Sequence, residues 1–424
     1  MIVSPKAVVP NWMDELNNCY RDIDNIEVIV WDGKADKRKE LVKKVKPHNK
    51  PTIVLINYDK ARNDKKLLLK CGFNTLILDE SQKVKSRKSQ VTKAIYMISK
   101  RCDYVYLMTG TPISTGYEDY WSQFLIMDPD ILGTRWKDFE DRYCVLGGFQ
   151  GKQIVGYKNR KTLKKLIRNN SFVANKSACL DLPPVTEHKL YCELGPKAMK
   201  AYKELDKELI TEIEGIGLDL DSQGWTTNKV KDLFNNFINE PNNFNQKDLI
   251  ALDSALVKTM KLQQITGGFI KNTETDQTML IDKNKLNLLQ EVIEKHKKES
   301  IVIFCKFRAE IDTIKQLYPK ALELSGKTKD KGKPVRDFQA GKSNIIVVQL
   351  RTGSAGINLT KGSTVIFYSW SGSYIDMRQA KDRLDRIGQK NPVNLYYLIA
   401  RNTIDLTSLE LLKHREKLSN KFLK

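Results

Sequence analysis

The chain has 424 residues, 41% of them hydrophobic and 29% charged, and carries a formal net charge of +21. That length holds two or three domains with sizeable cores, and this apolar-to-charged balance excludes wholesale disorder. No run of eighteen apolar residues occurs, which excludes a membrane-spanning helix. The opening MIVSPKAVVPNW lacks the basic start, apolar centre and small-residue site of a secretory signal.

The excess of Lys and Arg over Asp and Glu, 72 against 51, points to a polyanionic partner, with nucleic acid the leading candidate. Seven cysteines are scattered at 19, 71, 102, 144, 179, 192 and 305, with no C-x-x-C pair and only four histidines. This argues against zinc and fits buried thiols in a reducing cytosol. A cytoplasmic location is therefore expected: the bacterial nucleoid, or the host cytoplasm if the gene is a phage's.

In chain order, short apolar runs at 26–30, 52–56, 75–78 and 104–108 read as buried strands with helical stretches between them. The basic run 34–50 reads as a solvated helix face. The stretch 195–270 is mostly helical in pattern and is interrupted at 235–246 by a segment rich in Asn and Gln, which reads as an insertion carrying a loop. Apolar runs at 300–304, 344–348, 364–368 and 393–399 repeat the first texture. Continuous apolar strands separated by helices predict parallel sheets covered on both faces. The expected fold class is thus α/β, with lobes at 1–190 and 276–424 and a helical connector at 191–275.

Four strings carry the chemistry. The run 75–78 ends in Asp79, Glu80, Ser81 and Gln82, which places two carboxylates at the carboxyl edge of a parallel sheet, where α/β folds bind ligands. One such acid can hold Mg²⁺ through water while the other orients or deprotonates an attacking water. The run 104–108 ends in Thr109, Gly110, Thr111 and Pro112, delivering hydroxyls and a small residue to the same edge. Residues 351–359, RTGSAGINL, follow a strand of the second lobe, and 379–389, QAKDRLDRIGQ, sets Arg383 and Arg386 three apart, on one face if helical. Two such guanidiniums can fork a phosphate. Taken singly, these residues also suit a polar strand end, a turn, and surface pairing of the arginines with Asp382 and Asp385.

Together, DESQ at 79–82, TGTPIS at 109–114, RTGSAGINLT at 351–360 and QAKDRLDRIGQ at 379–389 resemble the Swi/Snf-type ATPases of helicase-like superfamily two. Flanking segments support the resemblance: SPKAVVPNW at 4–12, IVLINYD at 53–59, IVIFCKFR at 301–308 and 391–405. The compact layout is most similar to the annealing-helicase subgroup. The resemblance implies two RecA-like lobes, ATP and Mg²⁺ as cofactors, and double-stranded DNA as partner. It implies that Asp79 holds Mg²⁺ and that Glu80 positions the water. Ser81, Gln82, Thr109, Gly110 and Thr111 would couple hydrolysis to movement. Arg383 and Arg386 would reach the γ-phosphate, with Gly356 and Gln379 at the seam between lobes. Lys6, Tyr58, Lys306, Thr352 and Asn358 would lie toward the DNA backbone. Gln82 stands where the family usually has His.

A phosphate cradle of the form G-x-x-x-x-G-K-[ST] is missing. Gly326-Lys327-Thr328 and Gly341-Lys342-Ser343 are near misses, with Ala321 and Arg336 in place of the first Gly. The resemblance therefore implies an upstream segment or polypeptide that supplies the cradle, and a first lobe incomplete at its N-terminus. Loss of a central strand is expected to leave unpaired backbone between its neighbours. The alternative is a DNA-binding module that does not hydrolyse ATP.

Overall fold

The computed structural model describes residues 1–20, 25–45, 50–113, 116–147, 153–174, 179–215, 257–272, 275, 277–353 and 357–423. The chain forms two compact units, Met1–Phe172 and Val173–Leu418.

The first unit is built on a five-stranded sheet. Its strands are β1 (Ile2–Ser4), β2 (Glu27–Val30), β3 (Thr52–Asn57), β4 (Thr75–Asp79) and β5 (Tyr104–Met108), in the spatial order β2-β3-β1-β4-β5. All four pairings are parallel. Val3, Val54, Ile56, Leu76 and Leu78 pack with Ile95 and Ile98 of the helix Gln90–Ser99 in one core. A buried polar post fixes the far side: Trp31 Nε1 donates to Asp64 Oδ2 at 2.9 Å and Arg38 Nε to the same oxygen at 2.5 Å. Burial pushes the Asp64 carboxyl up, but the Arg38 and Trp31 hydrogen bonds together with the charges of Arg38 and Lys60 hold its pKa below the usual value.

The expected gap between strands is not found. The three-residue β1 sits between β3 and β4 and pairs with both, so the sheet is continuous. What stands open is the outer side of β5, which no described strand pairs. Tyr104, Tyr106 and Met108 are 58%, 55% and 45% exposed, while the alternate residues Val105 and Leu107 pack on the core. The unit is completed by an antiparallel pair, β6 (Cys144–Gly147) with β7 (Gln153–Tyr157), and by a cluster of aromatic residues around Trp121, Phe139 and Tyr143.

The second unit holds a six-stranded parallel sheet. Its strands are β8 (Val185–Cys192), β11 (Ile301–Cys305), β12 (Leu322–Leu324), β13 (Ile345–Gln349), β14 (Thr364–Phe367) and β15 (Val393–Ala400). Their order is β12-β13-β11-β14-β15-β8. A hairpin of β9 (Phe269–Lys271) and β10 (Thr278–Leu280) lies beside it in the chain. The sequence boundary at 190/191 cuts β8, which pairs along its whole length with β15, whereas the units divide at 172/173. The described part of the connector is helical over Pro196–Gly215, and its Ala198 and Tyr202 pack with Leu262, Ile265 and Ala400. The Asn- and Gln-rich stretch 235–246 lies outside the described residues. No helix among the described residues is long and apolar enough to cross a membrane.

Candidate functional site

In the first unit, β4 delivers Asp79 and Glu80 to the carboxyl edge of the sheet, as the apolar run ending in two acids requires. Asp79 is braced from two sides. Trp12 Nε1 donates to its Oδ2 at 3.0 Å, and the Tyr58 hydroxyl donates to its carbonyl at 2.7 Å. Tyr58 is buried, and burial, followed by the charges of Asp79 and Glu80, pushes its hydroxyl pKa well up, so it stays a donor. It supports the acidic strand end. The reason is local: Asn57 caps the helix Tyr58–Asn63 by accepting from Lys60 N at 3.0 Å, and the turn sends Tyr58 inward.

Glu80 occupies the left-handed backbone region, φ 55° and ψ 52°, a conformation that costs a non-glycine residue about 1 kcal/mol or more. The turn brings Gln82 back onto it. Gln82 Nε2 donates to Glu80 Oε2 at 2.5 Å, and Gln82 Oε1 accepts from Thr109 Oγ1 at 2.6 Å. Thr109 Oγ1 in turn accepts from Thr111 N at 2.9 Å. Ser81 Oγ donates to Gln123 Oε1 at 2.8 Å, and Gln123 Nε2 donates to the Pro112 and Asp119 carbonyls. A continuous chain of hydrogen bonds thus joins Glu80 to the turn after β5. At Gly110 an added Cβ would meet no heavy atom within 4 Å, so the backbone there is open to an approaching group.

Two members of this constellation were not singled out from the sequence. Trp12 stands in the SPKAVVPNW segment, but only Lys6 was read there as functional. Gln123 is 3% exposed on the helix Asp119–Met127, where Asp119 and Ser122 are buried too. Lys6 is exposed just beyond β1. Together with burial, its charge lowers the pKa of Lys60, so the two ammoniums share the same neighbourhood.

Among the described residues no group of three or more His, Cys, Asp or Glu side chains is placed to hold a metal. A hard cation carried in with a substrate phosphate needs less: one or two carboxylates, with water and phosphate oxygens completing its shell. Asp79 fits that donor set, being a half-buried acid at a sheet edge with one carboxylate oxygen fixed by Trp12.

In the second unit the carboxyl ends of the parallel strands carry the remaining residues. Lys306 follows β11 and Thr352 lies in the turn after β13, its paired neighbour. Lys306 Nζ donates to Gln263 Oε1 and sits 4.9 Å from the Phe307 ring centroid. Burial draws its pKa down to about 8, Glu310 pulls the other way, and Arg351 adds to the lowering. Its ammonium is therefore engaged within the unit. Beneath it the wholly buried Glu310 accepts from Lys306 N at 3.1 Å, Phe307 N at 3.0 Å and Ser369 Oγ at 2.5 Å. Burial still raises the Glu310 carboxyl to about 7. Asn358 is exposed and accepts from Gln339 Nε2 at 3.2 Å and Thr360 N at 3.0 Å.

Arg383 and Arg386 do not share a helix face. The helix Tyr374–Asp382, which includes Gln379, ends at Arg383 as its C-cap, and Arg386 is exposed in the bend that follows. Tertiary bonds replace the helical ones. The Arg383 carbonyl accepts from Leu359 N at 3.1 Å, and Gln389 Nε2 donates to the Gly362 and Leu384 carbonyls. Arg383 is half-buried, so the two guanidiniums differ in environment. Gly356 lies outside the described residues.

Neither near-miss loop is a free phosphate cradle. Gly326 N is taken by Gln349 Oε1 at 3.0 Å and Lys327 N by Ser325 Oγ at 3.2 Å. Gly341 terminates a helix, its N bonded to the Phe338 carbonyl, and Lys342 pairs with Asp337.

Comparison with known proteins bears on this arrangement. The family described as the SNF2-related domain matches residues 1–282, and the helicase conserved C-terminal domain matches residues 284–388. An uncharacterized ATP-dependent helicase of Mycoplasma genitalium is 26% identical over 439 aligned positions, covering all of this chain and 37% of that protein. The TATA-binding protein-associated factor MOT1 of Saccharomyces cerevisiae is 25% identical, with 99% of this chain and 24% of that protein covered. The chain thus spans well under half the length of these relatives. Among solved structures, the Sulfolobus solfataricus SWI2/SNF2 ATPase core in complex with double-stranded DNA matches at 22% identity and a TM-score of 0.39 over all of this chain and 82% of that one. With a family match over more than half its length, the chain belongs to the SNF2-related family of helicase-like proteins.

Proposed function

We propose that the chain is the motor core of an ATP-driven translocase on double-stranded DNA, one that remodels protein–DNA contacts or re-anneals strands. The observation that carries this reading is the Glu80–Gln82–Thr109 relay at the carboxyl edge of the first sheet. It gives a carboxylate a fixed place beside Asp79 and ties it to the neighbouring strand. In this reading Asp79 holds the Mg²⁺ that accompanies ATP, and Glu80 orients the attacking water. Arg383 and Arg386 reach the γ-phosphate. Lys6, Thr352 and Asn358 contact the DNA backbone. Bound Mg²⁺ supplies charge neutralisation at the phosphates; the chain supplies position and a fixed electrostatic field.

The 424 residues contain no G-x-x-x-x-G-K-[ST], so we propose that a segment outside them supplies the cradle, in the same polypeptide or another. The missing cradle also motivates a second reading, a DNA-binding module without ATP turnover. Steady-state ATPase separates the two, measured with and without duplex DNA on the chain joined to a cradle-bearing segment. Stimulation by DNA is the expected result, and its absence there rules out the motor. The 424-residue chain by itself is expected to hydrolyse ATP weakly or not at all.

Two further results are expected. Duplex binding falls steeply with salt, since a protein making several phosphate contacts loses about three orders of magnitude in affinity between 50 and 200 mM salt; a flat response would remove the phosphate-backbone reading. Gln82→His introduces a pH dependence that the native relay lacks. An amide donates to Glu80 and accepts from Thr109 at any pH, whereas an imidazole protonated below about pH 6.5 becomes a double donor and can no longer accept the Thr109 hydroxyl proton. The rate of the variant should therefore fall as pH drops through that value while the native rate holds. Superimposable pH profiles would show that the relay does not govern turnover.

A further inference from the structure

The helix Val9–Cys19 reaches the acidic end of β4 without a fully buried side chain. Val9, Asn11, Trp12, Met13 and Leu16 are half-buried and its other residues are exposed. No side chain caps its N-terminus, its first turn has no acid and its last turn no base. An element held this lightly shifts at low cost.

Register sets its route into the site. β1 pairs with β4 through Val3 and Leu78, and with β3 through Ser4 and Asn57. The chain therefore leaves β1 level with Asp79. The turn 5–8 carries it to the helix and is closed by Val8 N, which donates to the Pro5 carbonyl at 2.8 Å. Lys6 stands exposed in that turn. One helical turn further, Trp12 N donates to the Val8 carbonyl at 3.2 Å, and the Trp12 indole donates to Asp79 Oδ2 at 3.0 Å. A closed turn and one turn of helix thus join an exposed ammonium to a carboxylate at the sheet edge.

Of the two Asp79 carboxylate oxygens, only Oδ2 receives a hydrogen bond among the described residues. The terminal torsion of an aspartate is soft, so the indole sets where Oδ1 points. An outer partner of this kind commonly changes the metal affinity of the carboxylate it orients by tenfold or more.

We propose that Trp12 couples duplex binding to Mg²⁺ binding: a phosphate held at Lys6 settles the helix, and the indole then fixes Asp79 as a cation ligand. This rests on the reading that Lys6 meets the duplex and Asp79 the metal. Trp12 touches neither and is a positioning residue. Such coupling is reciprocal, so Mg²⁺ with nucleotide must tighten duplex binding by the factor by which the duplex tightens Mg²⁺.

The test needs no turnover. Mg²⁺ is titrated into the chain joined to the cradle-bearing segment, with fluorescently labelled ADP present, with and without a short duplex. For the native protein the duplex is expected to lower the half-saturating Mg²⁺ concentration about fivefold, equivalent to about 1 kcal/mol of coupling. Trp12→Phe keeps a ring and removes the N–H. Its half-saturating concentration without duplex should rise about tenfold, and the duplex should then shift it by less than about twofold. Duplex affinity in EDTA should stay within about twofold of native, a split that general loss of structure would not give. Thermal melts report folding, and the reciprocal titration of the native protein with duplex carries the test if Trp12→Phe does not fold. A native protein whose Mg²⁺ requirement ignores the duplex overturns the proposal, as does a Trp12→Phe protein that keeps the full coupling. A native protein that binds no duplex, or no nucleotide with Mg²⁺, fails the motor reading itself and the proposal with it.

Discussion

Replacing Glu80 by Gln is expected to lower DNA-stimulated ATP turnover by about a hundredfold or more, the usual contribution of a positioned general base. The substitution removes the charge but keeps an acceptor for Gln82 Nε2, so the relay to Thr109 and the turn after β5 stay in place. Duplex affinity should hold within about twofold, because the loss falls on the water-activating step and not on phosphate contacts. The measurement is turnover and DNA affinity on the same preparation, with the cradle-bearing segment attached. A variant that turns over at the native rate would show that Glu80 is a strand-end acid with no part in the chemistry. A parallel loss of DNA binding would mean that the carboxylate acts through structure.

The second large effect is on stability. In the second unit Lys285 Nζ and Asp405 Oδ2 form an ion pair at 2.5 Å, with side chains 1% and 9% exposed. Asp405 also accepts from Thr266 Oγ1 at 2.8 Å and Ala400 N at 3.0 Å, tying the connector, β15 and the following helix to one carboxylate. Asp405→Ala leaves a buried ammonium without its counter-charge and Ala400 N unpaired, while Thr266 Oγ1 keeps the Gln263 carbonyl, and is expected to cost about 3–5 kcal/mol. Replacing both partners by apolar residues, Lys285→Met with Asp405→Leu, should recover much of that loss. Denaturant unfolding of the second unit's signal decides. A loss below about 1 kcal/mol for the single variant would show that water or rearrangement satisfies Lys285.

Eight of the strands were legible because each is a largely apolar run of four or more residues, although β5 proves exposed on one face. Those that were not fall below that signal. β1 has three residues, and β12 is Leu-Glu-Leu. β8 opens on four consecutive polar residues, Thr186 to Lys189, and gives no hint that it belongs to the second sheet. At the site, the acids at the end of β4 were readable from strand chemistry alone. The arginine segment was not, because its helical periodicity runs on past Asp382 while the Arg383 carbonyl is claimed by Leu359 N from another part of the chain. The inward contacts of Tyr58 and Lys306 were not readable either: each sits one residue beyond a strand, where a single cap or hydrogen bond decides between solvent and interior. The relay through Gln82 depends on a left-handed turn at Glu80 that the residue types do not announce.

The open side of β5 has a practical consequence. Its unpaired edge, with two tyrosines and a methionine 45% exposed or more, is an adhesive strip, and nothing local blunts it: no lysine, proline or bulge interrupts 104–108. Repulsion between molecules of charge +21 keeps such strips apart at low ionic strength and is screened as salt rises. Solubility of the chain would then decline as salt rises, so a preparation held at high salt would sit at its greatest risk of strand-to-strand precipitation.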